Sequence, residues 1–149
     1  MMKPIVENKR ALFDFNIQEK FEAGLVLTGP EVKSVKKGSI NLQGSYVLPK
    51  GGEMWLVGAH IAPYSPAKGA QIHYDPKRDR KLLLTKKELS YLLGKSSSKG
   101  LTIVPVSVYT THRLVKCQIA VATGKKKHDK RVAIKKRELE REIRRSLKY

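Results

Sequence analysis

The sequence has few of the features that mark secreted, membrane-spanning or disulfide-bonded proteins. It contains a single cysteine, Cys117, which excludes an internal disulfide framework and is typical of a reducing cytosol. No apolar run approaches the roughly 20 residues that cross a bilayer. Residues 1–8 contain no apolar segment of the kind found in signal peptides. We therefore expect a cytoplasmic protein with no membrane segment.

The motifs of the common enzyme classes are also missing. The chain has no Gly-x-x-x-x-Gly-Lys-Ser/Thr loop, no Gly-x-Gly-x-x-Gly fingerprint and no Gly-x-Ser-x-Gly turn. Its four histidines lie far apart in sequence, and one cysteine cannot build a structural zinc site. Asp75 and Asp79 lie beside the basic residues Lys77, Arg78 and Arg80, which favours salt bridges over metal ligation. We expect no catalytic activity, no metal and no cofactor.

Acidic residues are scarce, and the resulting positive charge is unevenly distributed. The 149 residues include 31 Lys and Arg against 13 Asp and Glu, a net charge of +18. Residues 123–149 hold 12 basic and 4 acidic side chains, so this segment carries +8 and residues 1–122 carry +10. A protein this basic is expected to bind a polyanion, most commonly nucleic acid. We divide the chain into a nucleic-acid-binding domain, 1–122, and a basic tail, 123–149.

Residues 1–122 have strand patterns interrupted by two helix starts. Capping boxes at Thr28–Glu31 and Thr85–Glu88 begin two helices, which we expect to end at Gly38 and Gly94. Pro105 indicates an edge or a bulge in the strand that contains it. Strands are predicted at Glu22–Leu27, Tyr46–Leu48, Met54–Ile61, Leu101–Tyr109 and Val115–Ala122.

These elements predict a mainly β fold. Antiparallel hairpins with a helix between strand groups favour a small closed barrel of the oligonucleotide-binding type, with two or three helices. A two-layer α+β sheet is the alternative that the pattern leaves open.

Three basic segments are candidates for contacts with a nucleic-acid backbone: Lys9-Arg10, Lys77–Lys81, and Lys125–Arg131 with the tail behind it. Each neutralised phosphate releases counterions, so several contacts give strong, salt-sensitive binding. One basic run is more often a solvated surface, but three in one small domain indicate a binding function. The tyrosines at 46, 64 and 74 are candidates for stacking on bases. Phenylalanines 13, 15 and 21 and Trp55 are core candidates.

The tail has the pattern of a weakly amphipathic helix. Val132, Leu139, Ile143 and Leu147 form a narrow apolar stripe, and neighbouring Glu and Arg residues can pair at i, i+3 or i, i+4. Because so thin a stripe does not hold an isolated helix firmly, we expect the tail to be disordered or frayed when free and helical on an RNA surface. A helix docked permanently on the barrel is the alternative.

Several segments resemble the small protein B family, the partners of transfer-messenger RNA in bacterial trans-translation. They follow the family's order along nearly the whole chain, and together they are far more specific than any one alone. The matching segments are Asn8–Ala11, Phe21–Gly24, Leu27–Ser34, Asn41-Leu42, Ser45-Tyr46, Asp75–Leu84 and Gly124–Arg131.

The resemblance implies a barrel that grips the tRNA-like domain of transfer-messenger RNA and a tail that enters the decoding centre and empty mRNA channel of a stalled ribosome. The protein is expected to act as a monomer. The RNA-binding residues are predicted from positions that match the family and from the cations of the basic segments. They are Asn8, Lys9, Arg10, Glu22, Asn41, Tyr46, Arg78, Arg80, Lys81, Lys125 and Lys126. The residues expected to act near the decoding centre are His128, Asp129, Lys130 and Arg131.

The chain departs from the family pattern at three positions. Thr123 stands where a basic residue is common, Gly44 replaces an acidic residue before Ser45, and Phe15 lacks the hydroxyl of a more usual tyrosine. These changes affect local contacts. The runner-up interpretation is a ribosomal or ribosome-assembly protein with an rRNA-binding tail.

Overall fold

The computed structural model describes residues 4–64, 73–125 and 127–147. Within these ranges the chain forms nine strands and four helices. In chain order they are β1 (Val6–Glu7), α1 (Lys9–Asp14), β2 (Phe15–Leu25), α2 (Gly29–Lys36), β3 (Ile40–Asn41), β4 (Tyr46–Lys50), β5 (Glu53–Val57), β6 (His60–Ile61), β7 (Arg80–Leu83), α3 (Lys86–Ser96), β8 (Leu101–Thr111), β9 (Leu114–Gly124) and α4 (Lys127–Leu147).

Six of the strands close into an antiparallel ring in the order β8-β4-β5-β7-β2-β9, with β9 pairing back to β8. The long β8–β9 hairpin pairs from Leu101 with Thr123 to Thr111 with Leu114. On its other edge β8 pairs with β4 through Val47 and with β1 through Val6. A short β3–β6 pair forms a second sheet. The predicted mainly β, closed architecture is confirmed, and the two-layer alternative is not.

Alternation along the strands places the core inside the ring. In β5 the even-numbered side chains, Met54 and Leu56, are fully buried, while their neighbours are only partly buried. Val35 of α2 and Leu92 of α3 are also fully buried and pack into the same core. Each large apolar side chain removed from water contributes about 1.5–3 kcal/mol. Cys117 lies in this core, and burial raises the pKa of its thiol to about 12.

The turns account for where the strands end. Gly51 and Gly52, with φ of +57° and +76°, make the two-residue turn between β4 and β5. The ladder between β8 and β9 shifts register between Pro105 and Ser107, which confirms the bulge predicted at Pro105.

The helix starts agree with the sequence, and one helix end does not. Thr28 and Glu31 form the predicted capping box, and Gly38 follows α2 with φ of +84°. Helix α3 continues past Gly94 to Ser96. A glycine inside a helix destabilises it by only about 1 kcal/mol, which the burial of Leu92 offsets. Helix α1 was absent from the sequence prediction.

A buried ionic cluster, formed by Glu31, Tyr74, Arg78 and Arg80, fixes α2 to β7. The Glu31 side chain is 1% exposed, and its Oε2 atom accepts from Arg80 Nη2 at 2.6 Å and from Arg78 Nε at 3.1 Å. The Tyr74 hydroxyl lies 3.0 Å from the same oxygen. Burial opposes ionisation of Glu31, but hydrogen bonds from Arg78, the Thr28 amide and Arg80 outweigh it and lower the pKa to about 2.

Asp79 forms a salt bridge, as predicted, but its partner is Lys50, across the sheet, rather than a basic neighbour in sequence. Asp75 accepts a hydrogen bond from the backbone amide of Lys77 at 2.9 Å, within its own turn. The arginines turn inward because Glu31 is the carboxylate that the fold buries beside them.

Replacing Glu31 by glutamine is expected to lower the free energy of unfolding by about 3–5 kcal/mol, because the Arg80 guanidinium stays buried without its counter-charge. Urea denaturation at neutral pH measures this loss. The matched control is Glu53→Gln, since Glu53 is 40% exposed and lies 3.7 Å from Lys81, a surface pair worth at most about 1 kcal/mol. Equal losses in both variants would contradict the role given to the cluster.

The same cluster predicts how the free energy of unfolding decreases at acid pH. Because the folded-state pKa of Glu31 lies below its ordinary value of 4.5, its contribution is complete above about pH 4.5 and is lost as the pH falls toward 2. Glu31→Gln should flatten that part of the profile.

Candidate nucleic-acid interface

Asn8 fixes the helix around which the interface is built. Its Oδ1 atom accepts from the Ala11 amide at 3.2 Å and so caps α1. Its Nδ2 atom donates to the carbonyl oxygens of Pro105 at 2.9 Å and Leu42 at 3.4 Å. The side chain is 4% exposed. Asn8 therefore ties α1 to the bulge of β8 and to the segment after β3.

Beside α1 lies an open cleft of about 630 Å³, which we call the α1 cleft. Its charged and polar walls include Lys9 and Arg10 of α1 and Asn41 and Gln43 from the segment around β3. An adjoining hollow of about 340 Å³ also touches Arg10 and Gln43 and reaches Tyr46. The structure thus brings together five predicted RNA-binding residues from distant parts of the sequence: Asn8, Lys9, Arg10, Asn41 and Tyr46.

Glu22 lies beside a hollow next to the α1 cleft. It lines a hollow of about 370 Å³ that shares Glu7 with the α1 cleft. The Tyr109 hydroxyl donates a hydrogen bond to the Glu22 carboxylate, and Lys116 Nζ lies 4.0 Å away. Burial, followed by this bond to Glu22, raises the pKa of Tyr109. The Glu22 side chain is still 57% exposed, so it is oriented and accessible at once.

The second basic segment exposes only part of the positive charge expected of it. Arg80 is fully buried on Glu31 and on the Ala59 carbonyl, so a phosphate cannot reach it in this fold. Arg78 is about one-third exposed and also bonds Glu31. Lys81 is 38% exposed beside Glu53 and is the most accessible of the three predicted here.

The three tyrosines predicted to stack on bases differ in their exposure and contacts. Tyr46 is 43% exposed and open to stacking. Tyr64 lies under the ammonium groups of Lys33 and Lys37, at 5.5 and 4.7 Å from the ring centre. Tyr74 belongs to the Glu31 cluster. The expected core aromatics Phe13, Phe15, Phe21 and Trp55 are half-buried.

The beginning of the tail is tied to α1. The Lys125 amide donates to the Asp14 carbonyl at 2.9 Å, and its Nζ atom donates to the Leu12 carbonyl at 3.2 Å. Lys126 lies outside the described residues. His128, Asp129 and Lys130 lie in the first turn of α4, with side chains outside what the structure describes; the side chain of Arg131 is exposed.

The tail forms the helix α4, and three of its apolar side chains are open to solvent. Ile134, Leu139 and Ile143 are 42%, 58% and 52% exposed. Arg137 reaches the body, with its Cζ atom 5.4 Å from the centre of the Phe13 ring, and it lines the α1 cleft.

Across 4–64, 73–125 and 127–147, no group of three or more His, Cys, Asp or Glu residues is arranged to hold a metal ion. In the same residues no helix has the length and apolar character needed to cross a membrane.

Comparison with known proteins identifies the family. A family model described as SmpB protein matches residues 5–149. The chain belongs to the SmpB family. The SsrA-binding protein of Sulfurihydrogenibium sp. (strain YO3AOP1) is 51% identical over 98% of this chain and 95% of its own length. That of Rubrobacter xylanophilus is 50% identical over 99% of this chain and 97% of its own.

A solved structure also resembles this SmpB chain. It is described as "tmRNA-SmpB: a journey to the center of the bacterial ribosome". The match has a TM-score of 0.68 at 45% identity, and it covers 84% of this chain and 87% of the solved one.

Three SmpB residues on this face were missed by sequence reasoning: Gln43, Tyr109 and Arg137. Gln43 and Tyr109 are ordinary surface residues in sequence, and only the fold places them beside Asn41 and Glu22. Arg137 was counted with the tail, because no pattern in the sequence joins the tail to α1.

Asn8→Ala is expected to lower the free energy of unfolding by about 2 kcal/mol, since it removes the α1 cap and leaves the buried Pro105 carbonyl without its donor. Chemical denaturation monitored by Trp55 fluorescence measures the change. Asn16→Ala, at an exposed position of β2, is the control and should stay within about 0.5 kcal/mol of the wild type. An Asn8 variant as stable as the control would show that α1 does not depend on this side chain.

Proposed function

We propose that this protein binds the tRNA-like domain of transfer-messenger RNA and delivers it to the A site of stalled ribosomes. There the tail occupies the decoding centre and the empty mRNA channel, so that the ribosome is rescued and the incomplete protein is tagged. The observation that carries the proposal is the α1 cleft, which gathers predicted RNA-binding residues on one face of a chain whose close relatives are SsrA-binding proteins. The role is that of an adaptor without catalysis, in the cytoplasm.

Within the face, each residue has a role that follows from its exposure. Lys9 and Arg10 are exposed cations suited to backbone phosphates. Tyr46 offers an exposed ring for stacking on a base or ribose. Asn8 is buried, so it acts as a positioning residue that holds α1 and its cations in place.

Glu22 acts as a hydrogen-bond acceptor for the RNA and does not neutralise phosphate charge. A carboxylate among phosphates is unfavourable unless it accepts hydrogen bonds, and base edges and 2′-hydroxyls supply the donors. The Tyr109 hydroxyl fixes its orientation in advance. Glu22 therefore favours RNA whose ribose or base edge reaches this point over a generic polyanion.

The remaining predicted residues belong to the second basic segment and to the tail. Lys81 is the accessible cation of the second basic segment, and Arg78 is partly so. Lys125 and Lys126 add phosphate contacts where the tail leaves the body. For the decoding centre we propose His128 as a stacking or hydrogen-bonding group, with Asp129 beside it and with Lys130 and Arg131 on rRNA phosphates.

A gel-shift comparison tests the proposal, using transfer-messenger RNA and ordinary tRNA at about 0.15 M salt, where charges are screened beyond about 8 Å. The protein is expected to prefer transfer-messenger RNA, and a chain truncated after Arg131 is expected to keep that preference while losing tagging in a stalled-translation assay. Equal and purely salt-driven binding to both RNAs would contradict the function. Unimpaired tagging by the truncated chain would contradict the role of the tail.

Glu22→Ala is expected to weaken binding of transfer-messenger RNA about tenfold, corresponding to the loss of a charge-assisted hydrogen bond worth about 1.5 kcal/mol. Its free energy of unfolding should change by less than about 1 kcal/mol, because the carboxylate is exposed. Glu19→Ala is the control, because Glu19 lies three residues away on the same strand and its carboxylate likewise accepts a hydrogen bond from a tyrosine hydroxyl, that of Tyr91. If Glu22→Ala mainly lowered stability, the residue would be structural.

A further inference from the structure

Arg137 of the tail helix and Arg10 of the body share one aromatic ring. The Cζ atoms of Arg137 and Arg10 lie 5.4 and 6.0 Å from the centre of the Phe13 ring. Cation–π contact holds a guanidinium over a ring face and leaves its N–H groups available at the edge. Both arginines line the α1 cleft, so two planar donor forks from opposite ends of the chain open onto the same space.

The charge balance of the cleft favours an anion. Lys9, Arg10 and Arg137 line it together with one carboxylate, that of Glu7. Arg10 also bonds Asp14 at 3.0 Å, but its side chain remains 61% exposed and keeps donors for another acceptor. Guanidinium groups bind phosphate through paired N–H bonds, which a lysine cannot reproduce. Such a site fits the phosphate of a nucleic-acid backbone.

We propose that Arg137 completes a phosphate-binding site in the α1 cleft and that it holds, together with Lys9 and Arg10, a backbone phosphate of the RNA bound by the body. The inference rests on the proposed function for the identity of that RNA. It deepens that function, because a residue of the tail takes part in the RNA site of the body.

A coupling between RNA and the tail follows. A phosphate bound by both Arg10 and Arg137 bridges α1 and α4 and so stabilises the contact between them. Because coupling free energies are reciprocal, RNA favours the docked helix and the docked helix favours RNA by the same factor. The tail helix is therefore held most firmly against the body when the cleft is occupied.

The first test compares two variants with the same change of charge. Arg137→Gln is expected to weaken binding of transfer-messenger RNA about fivefold at 0.15 M salt and to reduce the slope of log K against log salt by about 1, as for one lost phosphate contact. Lys135→Gln is the control, since Lys135 is exposed and lies about 200° around the helix from Arg137. Equal effects of the two variants on affinity and slope would overturn the inference.

The second test measures the position of the helix directly. Cys117 is fully buried and its thiol pKa is raised, so cysteines introduced at the exposed positions Lys20 and Glu140 can be labelled with spin probes while Cys117 stays unreacted. The distance distribution between the probes is expected to narrow when transfer-messenger RNA is added, and to narrow less in Arg137→Gln. An RNA-induced increase in the distance would overturn the inference.

The proposed function and the proposed phosphate site can be refuted independently. The proposed function fails if the wild-type protein shows no preference for transfer-messenger RNA over tRNA. The phosphate site is decided by Arg137→Gln against Lys135→Gln, a comparison that can be made with either RNA.

Discussion

The hydrogen bonds of one buried amide, that of Asn8, set the geometry on which the RNA face depends. They join α1 to carbonyl groups 34 and 97 residues away in sequence, those of Leu42 and Pro105. The Pro105 carbonyl is accessible for this because β8 bulges after it and leaves the regular ladder. The position of α1 then fixes Arg10 and Phe13 and, through the Asp14 carbonyl, the start of the tail. A buried polar side chain thus organises an exposed charged surface.

Positive charge in this protein serves two different purposes, which the structure separates by burial. Arg80 is neutralised by Glu31 inside the molecule, where leaving it unpaired would be strongly unfavourable. Lys9 and Arg10 are exposed, where their hydration is retained until a phosphate arrives. The net charge of +18 therefore overstates the charge available to RNA. Burial, rather than the number of basic residues in a segment, decides which of them face a partner.

Local patterns in the sequence predicted much of the fold. They predicted little of the site, because the site depends on contacts between residues that are distant in sequence. Capping at Thr28 and the bulge at Pro105 depend on a few neighbouring residues, so each was predictable. Helix α1 has only six residues and owes its cap to Asn8, whose other bonds are made far along the chain. Asn8, Glu22 and Asn41 were found by family resemblance alone. Arg137 was missed because its partner, Phe13, lies at the other end of the sequence.

The contact between α4 and α1 gives the tail two alternative partners. In the isolated protein Arg137 lies on Phe13 while Ile134, Leu139 and Ile143 remain exposed, so among the side chains that the structure describes the contact of the helix with the body is small. A helix held this weakly can exchange one partner for another without loss of the main fold. If RNA strengthens the contact, a ribosome that binds the tail competes with the α1 cleft for the same segment. Reciprocity then requires that seating the tail elsewhere weakens the grip of the body on that phosphate. The basic tail would in this way link RNA binding at the α1 cleft to binding of the ribosome, because the same charged segment takes part in both.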